Sequence, residues 1–196
     1  MSTARVEAFS DGVIAIIVTI MVLELKVPDD SSARALVKVL PLFLVYALSF
    51  LTVAIMWVNH HHFLKAARRP EAALLWSNNN LLFWMSMIPF ATRYLGQNSS
   101  SYLPVGLYAA LLALTSASFY WLIVVVGLQN RDHPALFEEF GHQRTKALIT
   151  AAVYLACAGL ACLLPRLALA IVVVLPAIYF LPERRLVGDR DEPDGN

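Results

Sequence analysis

Six stretches of apolar sequence, each about long enough to cross a bilayer and separated by short polar links, govern what this 196-residue chain can become. They fall at approximately residues 8–27, 40–62, 74–94, 103–128, 146–164 and 167–182. A segment surrounded by lipid must satisfy its own backbone N–H and C=O groups, so each is expected to be a helix crossing the ~30 Å hydrocarbon layer with about 20 residues. Composition agrees, because 59% of the residues are apolar and 15% are Asp, Glu, Lys or Arg, against roughly 25% charged in an ordinary soluble domain. The expected fold class is an all-α membrane protein with six transmembrane helices in one domain, residues 5–182, followed by a short polar tail at 183–196. A net charge of +1 supplies no electrostatic footprint for nucleic acid.

Orientation follows from the links. If both termini are cytoplasmic, the inner side holds Arg5, Lys65, Arg68, Arg69, Arg131, Arg144, Lys146, Arg184, Arg185 and Arg190, ten of the 15 Lys and Arg residues. The outer side holds Lys26, Arg34, Lys38, Arg93 and Arg166. That excess favours N-in and C-in, and an even number of spans requires the ends to agree. The first stretch does not read as a cleaved signal, because Glu7 and Asp11 accompany Arg5 before it and Glu24, Leu25 and Lys26 make a poor cleavage site. Pro165 before Arg166 marks a tight break between the fifth and sixth spans. Cys157 and Cys162, five positions apart in an apolar segment, read as small fillers.

Within the first span, Gly12, Ile16, Thr19, Ile20 and Leu23 recur at alternating intervals of three and four, and Val27 continues the row, so they share one stripe of a helix. Facing a symmetry axis, such a stripe would form an aliphatic ring at Ile16 and a hydroxyl ring at Thr19, the first excluding water and the second replacing part of a cation's hydration shell. The same spacing fits ordinary helix packing. Ser10 and Asp11 stand near the expected cytoplasmic start of this helix, where side-chain oxygens satisfy free amides and a negative charge meets the positive dipole end. Arg5, Trp57, Asn59, His60 and Asn80 are further polar groups in apolar surroundings, and a network among them would fix the first three spans. His60, His61 and His62 point about 100° apart on a helix and do not converge on a metal ion. No nucleophile elbow or phosphate-binding loop is present, so no enzyme activity and no cofactor are expected.

The segment RVEAFSDGVIAIIVT closely resembles the RxxxFSD signature of the transmembrane-protein-175 potassium-channel family, specifically its prokaryotic six-helix members. FLVYALSFLTVAIMWVNHHHFL and NLLFWMSMIPFATRYLG resemble its second and third spans. The resemblance implies a homotetramer of six-helix subunits in the cell membrane, passing potassium passively along a central path lined by the first helices. It places the hydrophobic constriction at Ile16, with Ile20 and Leu23 further along, and the selectivity-associated threonine at Thr19. Arg5, Phe9, Ser10 and Asp11 are its signature residues, and Trp57, His60 and Asn80 are the matching positions of spans two and three. Its partners are membrane lipids and potassium ions, with potassium as cargo and not as cofactor. The alternative from another class is an ion-coupled secondary transporter using Asp11, His60 and Asn80, since polar groups within spans often mark translocation routes.

Overall fold

The computed structural model describes residues 2–28 and 30–178; the expected tail at 183–196 and the far end of the sixth expected span lie outside them. The described residues form α1 (Thr3–Leu23), α2 (Ala33–Ala66), α3 (Ala72–Ser86), α4 (Ile88–Gln97), α5 (Tyr102–Gln129), α6 (Pro134–Leu160) and α7 (Pro165–Ile178). Three of these, α1, α2 and α5, are each long and apolar enough to cross a membrane unaided. The fold is all-α and of a multi-pass membrane type.

The expected third span, 74–94, is two helices. Pro89 has no N–H to return to the carbonyl of Met85, and its ring crowds that turn. Met87 therefore closes α3 with a short bond from its N–H to the Trp84 carbonyl, 3.2 Å, and α4 starts afresh with the proline in its first turn, where a missing donor costs nothing. The first span starts earlier than expected, at Thr3. Ser10 is consequently no cap: its hydroxyl sits in the helix interior and donates to the Val6 carbonyl at 2.8 Å, as a serine does when held inside a helix. The N-cap of α2 is Ser32, whose Oγ accepts from the Ala35 N–H at 3.1 Å, satisfying one of the free amides of the first turn. The fifth expected span, 146–164, belongs to a helix that starts at Pro134, because the charged turns before Ala147 continue the same hydrogen-bond ladder outside the apolar stretch. Pro165 opens α7, so the break read from the sequence is where the chain turns.

α5 is the centre of the bundle. Its most extensive pairing is with α6, and α3, α4, α7 and α2 also pack on it. Leu112, Leu122, Ile123 and Val126 of α5 are buried with Leu74, Leu81 and Met85 of α3 and Ile88 and Leu95 of α4. Cys157 is buried in α6, and Cys162 is exposed in the turn that follows. At Gly96, α4 approaches α2 so closely that an added Cβ would stand 2.9 Å from the Leu42 Cα, which a side chain cannot occupy without moving backbone.

α1 lies at the margin of the bundle, against α2, α3 and α4. Val6, Ser10, Ile14, Ile17 and Met21 form its buried side, repeating every three or four residues as one face of a helix must. From Gly12 to Leu23 it carries no ionisable side chain; Arg5, Glu7 and Asp11 stand before that stretch and Glu24 directly after it.

Candidate functional site

The stripe expected on α1 lies away from its buried side and is exposed. Ile16 is 58%, Ile20 42% and Leu23 79% accessible, with Val27 beyond them at 87%. An added Cβ at Gly12 would meet nothing within 4 Å. Phe9, one turn before Gly12, is likewise exposed. Thr19 is exposed, and its hydroxyl donates to the Ile16 carbonyl at 2.9 Å. That bond fixes the hydrogen toward the helix and turns the oxygen lone pairs outward. In this state the Thr19 oxygen can accept a hydrogen bond or coordinate a cation.

Behind the stripe, at the N-terminal end of α1, three helices are joined by buried polar atoms. Asn78 of α3 is the hub: its Oδ1 accepts from His60 Nε2 of α2 at 2.7 Å, and its Nδ2 donates to Ser10 Oγ of α1 at 3.0 Å. Ser10, His60 and Asn78 are all buried. With Nε2 donating, the neutral ring presents Nδ1 as a bare acceptor, and that atom is buried without a partner among the described residues. Toward the surface, Trp57 Nε1 donates to Asp11 Oδ1 at 2.9 Å, a second tie between α1 and α2. Glu7 Oε1 lies 2.7 Å from His61 Nδ1, close but without the alignment of a directed hydrogen bond.

Ser10, Asp11, Trp57 and His60 are thus brought together, and three members of the expected set, Arg5, Asn59 and Asn80, are not; Asn59 lines a cavity with Ser116 and Phe119 of α5 instead. Asn80 lies two positions beyond Asn78, which turns it roughly 200° away on the helix; it faces α5 and donates to Ser118 Oγ at 2.6 Å. The residue facing His60 is Asn78. Arg5 is exposed and forms no ion pair among the described residues, so the partner of Asp11 is the Trp57 indole and not a guanidinium. The three histidines diverge: His60 points inward, His61 toward Glu7, and His62 is exposed. Among the described residues, no group of three or more His, Cys, Asp or Glu side chains is placed to hold a metal ion.

Two further polar ties did not emerge from the sequence. Thr92 Oγ1 of α4 donates to Ser49 Oγ of α2 at 2.7 Å, and Ser49 shares a 2.8 Å bond with the Tyr108 hydroxyl of α5. All three are buried. At the opposite end of α1 from the Asn78 hub, Arg93 Nη1 of α4 donates to Glu24 Oε2 at 2.8 Å. The available signal was polarity in apolar surroundings, but a lone Ser or Thr in such a span can return its proton to its own helix, as Thr92 can to the Ile88 carbonyl, which hides the partner.

Comparison with known proteins gives this arrangement a family. Residues 5–89, which hold α2, α3 and all but the first two residues of α1, match the family model described as endosomal/lysosomal potassium channel TMEM175. A potassium channel of Chryseobacterium sp. is 37% identical over 186 residues, covering 95% of this chain and 96% of its own. A potassium channel of Streptomyces collinus is 33% identical over 136 residues, covering 64% of this chain and 66% of its own. The crystal structure of a lysosomal potassium-selective channel TMEM175 homolog from Chamaesiphon minutus superposes with a TM-score of 0.78 at 26% identity, over 91% of this chain and 96% of that one. With the Chryseobacterium channel 37% identical along nearly the whole of both chains, and with the family model matching the first three helices, the chain belongs to the TMEM175 family.

Proposed function

We propose that the chain is one subunit of a potassium-preferring cation channel, in which the first helices of four copies line a central path and ions move passively. The observation that carries this reading is the division of α1 into two sides. One is locked into the subunit by the Asn78 hub, while Gly12, Ile16, Thr19, Ile20 and Leu23 remain outside it. A single exposed stripe cannot enclose a conduit, so the path requires further copies, and closed rotational symmetry is the ordinary way to supply them. Ile16 then forms the closure that excludes water, Ile20 and Leu23 extend it, and the outward lone pairs of Thr19 offer a ring of cation ligands. That the Chryseobacterium and Streptomyces relatives are potassium channels supports potassium as cargo.

In this reading six spans cross the membrane, with α3 and α4 together forming the third and the apolar parts of α6 and α7 the fifth and sixth. Both ends face the cytoplasm, as the distribution of basic residues favours. Ser10, Asp11, Trp57, His60 and Asn78 then hold the inner end of the path, with Arg5 and Phe9 exposed beside it, and Asn80 braces α3 on α5.

Purified protein in liposomes tests the function. Potassium flux with single-channel currents, persisting with no second solute present, is the expected result; saturable exchange that disappears without a second solute would replace the channel by an ion-coupled transporter. Native mass measurement in mild detergent tests assembly, and a functional monomer would sink the four-copy path.

A further inference from the structure

Between α1 and α4 runs a groove of about 520 Å³ lined by Ile16 and Ile20 on one side and Phe90 and Tyr94 on the other. On this side the middle and outer turns of α1 stand apart from α4, while Ile17 and Met21 keep its other side buried in the bundle. Glu24 and Arg93 line the same groove and join across it at 2.8 Å. Arg93 is presented from a held element: α4 is fixed to α2 by the close approach at Gly96, and to α2 and α5 through Thr92, Ser49 and Tyr108. Glu24 directly follows Leu23 and stands one turn beyond Ile20. A helix is stiff over a single turn, so where Glu24 is held decides where Ile20 and Leu23 stand.

We propose that the Glu24–Arg93 pair is a positioning clasp that draws the outer end of α1 toward its own subunit and so sets the width of the ion path at Ile20 and Leu23. This rests on the channel reading given above. The loose packing in the groove leaves α1 room to shift there, and the clasp chooses among the positions that this room permits. Releasing it lets the outer turns lean toward the axis and narrow the path.

The two partners carry opposite charges, which separates a clasp from an effect of local charge on cation supply. As a clasp, Glu24→Gln and Arg93→Gln each lower potassium flux in liposomes, roughly fivefold for a coupled pair of this kind. Combining Glu24→Arg with Arg93→Glu restores flux to within about twofold, because the pair re-forms in reverse. Flux is normalised to protein eluting at the parent's position on gel filtration. Opposite responses to the two glutamine variants, an unrestored reversed pair, or a loss accounted for wholly by lost assembly would overturn the proposal. Ile16→Asn in the same liposomes reports on the path itself. Raised flux there beside silent clasp variants removes the clasp alone, whereas unchanged flux in well-assembled Ile16→Asn removes the path reading and the clasp with it.

Discussion

Replacing Asn78 by leucine puts the anchor at the N-terminal end of α1 to a quantitative test. Leucine keeps the branch at Cγ and the number of side-chain heavy atoms, so the change removes the polar atoms without opening a cavity. Ser10 loses the Asn78 amide but keeps its bond to the Val6 carbonyl, so it is not orphaned. His60 fares worse, because Asn78 Oδ1 is the acceptor for its Nε2 and its Nδ1 already lacks a partner among the described residues. An unsatisfied buried polar group costs about 1–3 kcal/mol, and hydrogen bonds between membrane helices are worth roughly 0.6–2 kcal/mol. Asn78→Leu is therefore expected to cost about 2 kcal/mol, or roughly 4–8 °C in the melting midpoint of a chain this size. Asn80→Leu is the control: it removes one bond to Ser118, whose hydroxyl still donates to the Leu114 carbonyl, and should cost about 1 kcal/mol or less. Thermal melts followed by tryptophan fluorescence in detergent, with potassium flux on the same samples, read both changes. If Asn80→Leu proved the more damaging, or Asn78→Leu left midpoint and flux unaltered, the hub would be wrongly placed.

Ile16→Asn replaces an exposed branched side chain with a polar one and should raise potassium conductance or leak while assembly survives, since a polar ring at the closure wets more easily; liposome flux and gel filtration check it. Thr19→Val keeps the branched shape but removes the outward oxygen, so potassium preference over sodium should fall under bi-ionic recording, and unchanged preference would exclude Thr19 as a ligand. Gly96→Ala forces a methyl against the backbone of α2 at Leu42 and should cost about 1–3 kcal/mol or more, read as a lower melting midpoint; a midpoint equal to the parent's would contradict the close approach.

Much of the fold was legible because lipid restricts the backbone to helices and makes apolar length measurable, so the ranges of α5 and the break before α7 follow closely from sequence. What stayed hidden was register about the helix axis inside nearly uniform apolar stretches. Ser77, Asn78, Asn79 and Asn80 offer four polar groups in a row, and only the packing of α3 decides which meets His60. The stripe on α1 was legible for the opposite reason: its alternating spacing of threes and fours is a pattern that the buried side repeats out of phase. Helix ends were misread where a polar residue had two uses, as at Ser10, which suits a cap equally well as an interior bond. The pairing of Glu24 with Arg93 joins residues far apart in sequence, and no local pattern announces it.

The distribution of charge along α1 bears on how a membrane potential can act. A potential does work on fixed charge in proportion to the charge moved, about 2.3 kcal/mol per elementary charge for 100 mV. The turns from Gly12 to Leu23 carry none, and the charged residues stand before and after them, so a small shift of α1 moves no charge through the middle of the drop. A tilt or shift of α1 that widened or narrowed a path would therefore gain almost nothing from the field. Voltage would drive the permeating ion and leave the wall alone, so the current of an open path in symmetrical potassium should rise in near proportion to voltage, without the steep activation that a charged moving helix confers.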